Sequence, residues 1–362
     1  EHDAIKGAPT LKEVSIEDLL PRDEICVDLE SVAESLRGKR ILITGSAGSI
    51  GSEIVRQVAS FAPSKMMLID SAETPQHDIR RMMARDFPSV PCATVVTSIT
   101  KADRMENIFK TFLPEYVFHA AAYKHVPMME DNPCESIQNN VLGTKILADL
   151  SVKYGVRRFV MVSTDKAVNP TNVMGCSKRI CEVYVQSLNK AERDGVVKGQ
   201  TQFITTRFGN VLGSNGSVIP IFERQIKAGG PVTVTDPNII RYFMLIPEAC
   251  ELVLEAGTKG EGGEIFVFDM GKSVRIADLA RRMIELSGAK GVEIKYTGLR
   301  DGEKLYEEVL SESEATKPSF HEKIRIACVR EYDWSDVSRE IDALIAQSHT
   351  YDDMAVVASM KR

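Results

Sequence analysis

From Lys39 onward, short apolar runs alternate with amphipathic stretches. The segments RILITG, KMMLID, CATVVTSI, YVFHAAA, RFVMVST and FITTRFGNV are apolar almost throughout, the pattern of strands buried on both faces. Between them, Ile50 to Phe61, Pro75 to Phe87, Lys101 to Phe112, Pro133 to Tyr154 and Val173 to Glu192 carry helical periodicity. Strands joined by helices of this length need right-handed crossovers, so the pattern predicts an α/β fold with a doubly wound parallel sheet. After about Arg207 the rhythm breaks into loops rich in Gly, Pro and Asn, with the short strands VTVTD, IFVFDMG and VEIKYTG. That is the texture of a smaller α/β lobe closing over a ligand. The expected organisation is an N-terminal extension or linker over 1–36, a sheet domain over 37–206, a second lobe mainly over 207–348 with some segments returning to the first, and a tail over 349–362.

Composition narrows the partners. The 362 residues are 43% apolar and 27% charged, ordinary globular values. A net charge of -6 argues against nucleic acid or an anionic membrane as the main partner, because phosphate binding needs a basic face. The seven cysteines, Cys26, Cys92, Cys134, Cys176, Cys181, Cys250 and Cys328, are odd in number and scattered, which suits free thiols in a reducing, cytoplasmic setting. No Cys-x-x-Cys or clustered histidine suggests a metal. No stretch approaches the roughly 18 apolar residues of a membrane helix, and no secretory leader is visible, so no membrane contact by this chain is expected. The stretch EHDAIKGAPTLKEVSIEDLLPRDE is polar and poorly periodic. It reads as a linker cut from a longer parent, one with room for a membrane anchor ahead of this stretch, or as a processed start, and both readings stay open.

The first chemical signal is TGSAGSIGSE, which follows a strand and opens a helix. Gly45 allows a tight turn, Gly48 lets backbone approach a pyrophosphate, and Gly51 lets helix and strand pack closely, with Ser46, Ser49 and Ile50 at the positive helix end. Asp70 closes the next strand, 25 residues after Gly45, where a carboxylate would bind both adenosine ribose hydroxyls and repel a 2′-phosphate. NAD is therefore expected over NADP, although Arg80 and Arg81 keep NADP open. Ser98, Ile99, Ala120, Ala121 and Ala122, at the ends of the next two strands, complete the candidate cofactor set.

The glycines are spaced G-x-x-G-x-x-G, and together with HAAA and a Ser-Thr followed by a distal lysine they resemble the extended short-chain dehydrogenase/reductase superfamily. Five blocks narrow the resemblance to its nucleotide-sugar 4,6-dehydratases, the polysaccharide-biosynthesis branch acting on UDP-N-acetylglucosamine. They are HAAAYKHVPMMEDNPCESIQNNVLGT at 119–144, STDKAVNPTNVMGCSK at 163–178, RFGNVLGSNGSVIP at 207–220, RYFMLIPEA at 241–249 and LRDGEKLYEE at 299–308. In the superfamily at large, a Tyr-x-x-x-Lys pair on one helix face handles protons and holds the nicotinamide ribose. Here the frame is M-G-C-S-K: Lys178 is present, and Met174, which has no transferable proton, stands in the tyrosine's place.

The resemblance implies that Thr164, Asp165 and Lys166 take over the proton work. Hydride leaves sugar C4, the C5 proton and C6 hydroxyl depart as water, and the hydride returns to C6. Asp165 would be the acid toward the C6 hydroxyl, Lys166 the base toward C5, and Thr164 the partner of O4. Asn140 resembles the superfamily's structural asparagine, its plain alternative being a helix-surface amide. Lys124 and His125 would face nicotinamide or sugar, and Asn210 a sugar phosphate. Arg241 and Arg300 offer planar forks for pyrophosphate and Glu303 a clasp for a ribose diol, against packing for Arg241 and a helix-start acid for Glu303. A nucleotide-sugar 4-epimerase, which needs the tyrosine, and a silent NAD-binding regulator, which has no use for Asp165 and Lys166 together, are the competing classes. Superfamily members commonly pair through the helices at 133–154 and 173–192, so at least a homodimer is expected.

Overall fold

A computed structural model describes Leu19 and residues 25–214, 216–308 and 314–362. Most of the polar stretch expected to be a linker, residues 1–24, lies outside the described residues, Leu19 apart. Residues 29–36 of that extension form a helix, α1 (Leu29–Leu36), capped by the Asp28 carboxylate, which accepts from the Ser31 amide at 3.1 Å. Its buried Val32 and Leu36 pack against the core, so this part is an integral element and not a tether.

The chain then alternates as its periodicity requires: β1 (Arg40–Thr44), α2 (Ser49–Ser60), β2 (Lys65–Asp70), α3 (Glu73–Asp86), β3 (Cys92–Val96), α4 (Ala102–Phe112), β4 (Tyr116–His119) and the short α5 (Val126–Asp131). The long helix expected over 133–154 is divided into α6 (Pro133–Ser136), a π-helical segment at Ile137–Leu142 and α7 (Gly143–Lys153). A single extra residue per turn leaves the apolar period nearly intact, which is why the sequence shows one helix. β5 (Arg158–Thr164) ends in a 3-10 turn at Asp165–Ala167, followed by α8 (Val173–Arg193), β6 (Gln202–Phe208) and β7 (Asn210–Leu212).

The remaining elements are α9 (Val218–Lys227), β8 (Val232–Val234), β9 (Ile240–Arg241), β10 (Phe243–Leu245), α10 (Ile246–Lys259), β11 (Ile265–Phe268), β12 (Val274–Arg275), α11 (Ile276–Ser287), β13 (Ile294–Tyr296), β14 (Ala315–Pro318), β15 (Ile324–Cys328), α12 (Trp334–Ser348) and α13 (Asp353–Met360). The main sheet has nine strands in the order β14-β15-β11-β6-β5-β4-β1-β2-β3. Its strands are parallel from β11 to β3, while β14 and β15 add antiparallel. The apolar run IFVF, expected among the short strands of the second lobe, is β11 and joins this sheet beside β6. Strand order reverses between β1 and β4, so the loops after those two strands diverge and open a crevice at the carboxyl edge. The two-stranded pairs β8–β13 and β9–β12 surround a separate small core that includes Ile219, Phe222, Val232, Val234, Leu279 and Met283.

The helices expected to pair two copies of the chain do not present a bare face. Val337, Ile341 and Leu344 of α12, with Val356 and Met360 of α13, are buried in one cluster with Val141, Leu147, Tyr184 and Leu188. Association through that face would require the chain's own C-terminal helices to move aside.

Candidate active site

The glycine turn is built by close approach. Gly45 adopts φ +68°, and a Cβ there would stand 2.7 Å from the Ala120 carbonyl carbon and the Ala121 amide. A Cβ on Gly51 would stand 1.8 Å from the Gly45 carbonyl oxygen. Only glycine permits this packing, and it brings the start of α2 onto the loop after β4. Gly48 is the N-cap of α2 and no side chain caps the helix, so the helix end faces the crevice as a site for anionic phosphate. Asp70 closes β2 with its carboxylate fixed by two backbone amides, Ala47 at 3.0 Å and Ala72 at 2.9 Å.

A crevice of about 810 Å³ runs from this turn to the start of β7. Gly45, Gly48, Ser49, Ile50, Gly51, Asp70, Ser98, Ile99, Ala120, Ala121 and Ala122 line its first half. Ser46 does not: its buried hydroxyl donates to Gln76 Oε1 at 2.8 Å beneath the turn. Arg80 is fastened to Thr94 on β3 at 2.7 Å, and neither it nor Arg81 lines the crevice.

His119, which the sequence did not single out, braces this half. Its ring nitrogens lie 2.7 Å from Thr44 Oγ1 and 2.8 Å from Thr144 Oγ1, joining β1, β4 and α7. Burial, reinforced by the Lys178 charge, holds the imidazole well below its ordinary range and therefore neutral. A polar residue inside an otherwise apolar strand was the available signal. Asn140, in the π-helical segment, donates to Tyr123 O at 3.1 Å and Ser177 Oγ at 3.0 Å and accepts from the Tyr123 amide at 2.8 Å. It ties the loop after β4 to α8, the helix that carries Met174 and Lys178.

Met174 and Lys178 both line the crevice and are otherwise buried. Burial drives the Lys178 ammonium down from its ordinary range, while Cys181 and Glu182 oppose the shift. Opposite them, the turn after β5 brings Thr164, Asp165 and Lys166 together. Thr164 Oγ1 donates to Asp165 Oδ1 at 3.1 Å and accepts from the Lys166 amide at 3.2 Å. Lys166 Nζ donates to Asp165 Oδ1 at 3.3 Å and to Asn210 Oδ1 at 3.1 Å. Thr164, Lys166 and Asn210 line the crevice; Asp165 is 1% exposed and sits just behind them, its Oδ2 without a hydrogen-bond partner.

Lys124 and His125 line the crevice as well. Burial and the Lys166 charge push Lys124 down, and burial and the Lys124 charge push His125 down. The His125 ring packs against Gly216, where a Cβ would stand 2.8 Å from Cε1. Arg241, Arg300 and Glu303 are not brought to the crevice wall. Arg241 is buried and donates to the carbonyls of Ile240 at 2.8 Å, Leu305 at 3.3 Å and Lys304 at 2.7 Å. Glu303 accepts from Thr235 Oγ1 at 3.0 Å and from the Arg300 amide at 3.0 Å, and the Arg300 side chain is exposed.

No group of three His, Cys, Asp or Glu among the described residues could hold a metal. No described helix is long and apolar enough to cross a membrane. The seven cysteines are all free thiols.

The reversed strand order, the glycine turn and the paired buried lysine and polar turn define an extended short-chain dehydrogenase/reductase, of the kind built for nucleotide-sugar dehydratases and epimerases. Within that class the chain belongs to the polysaccharide biosynthesis protein family, whose model matches residues 41–329. It is 47% identical over 338 residues to the capsular polysaccharide biosynthesis protein CapD of Staphylococcus aureus, covering 92% of this chain and 55% of the relative. It is 44% identical over 340 residues to the probable polysaccharide biosynthesis protein EpsC of Bacillus subtilis, covering 93% and 56%. The chain thus spans about half the length of these curated relatives. Among solved structures, Pen from Bacillus thuringiensis is similar at 31% identity and a TM-score of 0.74, over 80% of this chain and 89% of that one.

Proposed function

We propose that the chain is an NAD-dependent 4,6-dehydratase acting on UDP-N-acetylglucosamine to give the 4-keto-6-deoxy sugar nucleotide. The observation that carries this reading is the grouping of a hydroxyl, a carboxyl and an amine at Thr164, Asp165 and Lys166, facing a helix on which Met174 offers no proton.

The residues present fit a dinucleotide. Gly45 and Gly51 leave room that any Cβ would fill, the uncapped end of α2 suits phosphate, and Asp70 stands at the crevice with its carboxylate already oriented. NAD is favoured over NADP because the arginines that could receive a 2′-phosphate lie away from the crevice, Arg80 being held by Thr94. When bound, this cofactor accepts hydride from sugar C4 and returns it to C6.

The chain's own groups do the rest. Lys178 would hold the nicotinamide ribose, and Lys166 would take the C5 proton once the C4 ketone has made it acidic. Asp165 would give its proton to the C6 hydroxyl, which departs as water. Thr164 would bond O4, and Lys124, His125 and Asn210 would meet the sugar and its phosphate. Arg241 and Glu303 could bind the diphosphate or ribose only after leaving their present partners, and the exposed Arg300 only by reaching the crevice from outside its wall.

The test is to incubate the purified chain with UDP-N-acetylglucosamine in deuterated water and follow the sugar by NMR. The reading expects a 6-deoxy-4-keto product carrying deuterium at C5. A C4 epimer with its C6 oxygen intact and no C5 exchange would assign the site to an epimerase.

A further inference from the structure

One carboxylate behind the crevice joins the segments that carry its polar groups. Met174, Lys178 and Glu182 follow one another at intervals of four on α8 and so share one face of the helix. The first two line the crevice; Glu182, one turn further along, is fully buried. Ser163 Oγ donates to its Oε2 at 3.0 Å, and Arg207 Nη2 donates to its Oε1 at 2.7 Å and its Oε2 at 3.3 Å. Arg179 Nη1, from the same helix, donates to Oε1 at 3.1 Å. Burial alone would raise the Glu182 carboxyl; the Arg207 charge and hydrogen bonds, with Arg179 and Ser163, outweigh it and hold the group below its ordinary range, as a carboxylate.

The partners give this carboxylate its reach. Ser163 and Arg207 are register partners near the ends of the neighbouring parallel strands β5 and β6. The residue after Ser163 is Thr164, and three residues after Arg207 comes Asn210, which accepts from Lys166 Nζ at 3.1 Å. Lys178 precedes Glu182 by one turn of α8. Thr164, Asn210 and Lys178 all line the crevice, so one side chain fastens together the bases of their three supports, β5, β6 and α8. Arg207 Nη1 also donates to Glu314 Oε2 at 3.1 Å, which holds the guanidinium from a side that α8 does not control. A buried ion pair recovers little more than its own desolvation, so stability is a poor account of this arrangement.

We propose that Glu182 is a positioning residue whose carboxylate sets the spacing between Lys178, on the cofactor side of the crevice, and the Thr164–Lys166 turn. The proposal rests on the dehydratase reading for its chemical purpose: hydride leaves C4 toward the nicotinamide while the turn works on C5 and C6 of the same ring, so the two supports must keep a fixed separation. Glu182 does not line the crevice and acts through Ser163, Arg207 and its own helix.

Two variants of the full chain test it. Glu182→Asp keeps a charge for Arg207 and Arg179 but withdraws the carboxylate by one methylene, so that it cannot meet both Arg207 and Ser163 from α8 as placed. Ser163→Ala removes the bond to β5 alone. Crystal structures of wild type and both variants, grown without ligand, read the geometry: the separation between the Lys178 and Thr164 Cα atoms should change by about 0.5 Å or more in Glu182→Asp, and less in Ser163→Ala. A separation unchanged in both variants overturns the proposal, whatever the enzyme's substrate.

Kinetics on UDP-N-acetylglucosamine separate positioning from stability. Well below each variant's thermal midpoint, kcat should fall about tenfold in both, while KM and the NAD affinity seen by calorimetry stay within about twofold. Because the serine acts through the carboxylate, the double variant should lose no more than Glu182→Asp alone. A lowered thermal midpoint with an unchanged kcat makes Glu182 purely structural, and losses that multiply in the double variant mean that Ser163 acts independently; either result overturns the proposal. If Glu182→Asp does not fold, Ser163→Ala carries both measurements. If the wild-type chain does not dehydrate this sugar nucleotide, the functional reading fails, and the crystal structures still decide the spacing.

Discussion

The dinucleotide end of the crevice and the segment around Arg241 and residues 300–308, outside its wall, are built on different principles. At the dinucleotide end, every feature comes from one short peptide meeting its neighbour: Gly45 against Ala120, Gly51 against Gly45, Asp70 against the Ala47 and Ala72 amides. Its donors and acceptors stand ready for a ligand. In that segment the buried cation that could hold a diphosphate, Arg241, is already committed to the protein. Arg241 serves three carbonyls and lies near two carboxylates, and Glu303 caps its own turn. The first is preorganised, and in the second Arg241 must exchange partners before it can bind a diphosphate.

That contrast explains what could be read from the chain. The glycine turn and the acid at the end of β2 are local, so their spacing and strand–helix context located them, while the Thr164–Asp165–Lys166 tripeptide stood out only through the family resemblance. Their local sequence also dictates their geometry. The π-helical segment stayed hidden because one extra residue per turn changes the hydrogen-bond ladder and leaves the apolar stripe nearly intact. The approach of Glu307 to Arg241 stayed hidden because the two stand 66 residues apart in the chain. The cover that α12 and α13 lay over the π-helical segment and α8 was equally out of reach: an amphipathic pattern shows that a face is buried and is silent about what buries it.

The largest expected effect falls on the polar turn. Asp165→Asn keeps shape but cannot supply a carboxylic proton, so kcat should fall on the order of 10²-fold or more while NAD binding, followed by fluorescence, is retained. Normal turnover in this variant would move the elimination centre elsewhere. At the preorganised end, Gly51→Ala drives a methyl to 1.8 Å from the Gly45 carbonyl oxygen. The displacement of α2 from β1 should cost roughly 1–3 kcal/mol, read as a lower thermal midpoint together with weakened NAD binding. A variant as stable and as tight as wild type would show that the turn is more yielding than its geometry implies.

Asp70→Ala should be milder. Losing one charged acceptor for ribose hydroxyls costs about 1.5 kcal/mol, roughly tenfold in NAD affinity, with NADP affected less because the free enzyme's carboxylate repels its 2′-phosphate. Isothermal titration with the two nucleotides measures the difference. Equal losses for both would mean that Asp70 acts through the Ala47 and Ala72 amides, shaping the turn, and not through the ribose.

Met174→Leu is the smallest and the most pointed. Met174 is 3% exposed on the first turn of α8, its carbonyl accepts from Ser177 Oγ at 2.7 Å, and it forms part of the wall of the crevice that Lys166 also lines. If protons move through Thr164, Asp165 and Lys166, the thioether contributes only bulk. A leucine of nearly equal volume should then cost less than about 1.5 kcal/mol in stability and leave kcat within a few-fold of wild type. Met174→Tyr sharpens the same comparison, since it restores a phenol four residues before Lys178 without changing the polar turn. A phenol that raised turnover would show that the turn had been working without a group it still needs, whereas unchanged or lower turnover means that hydroxyl, acid and amine already suffice. Steady-state rates of the two variants beside wild type, on the same sugar nucleotide, separate these outcomes.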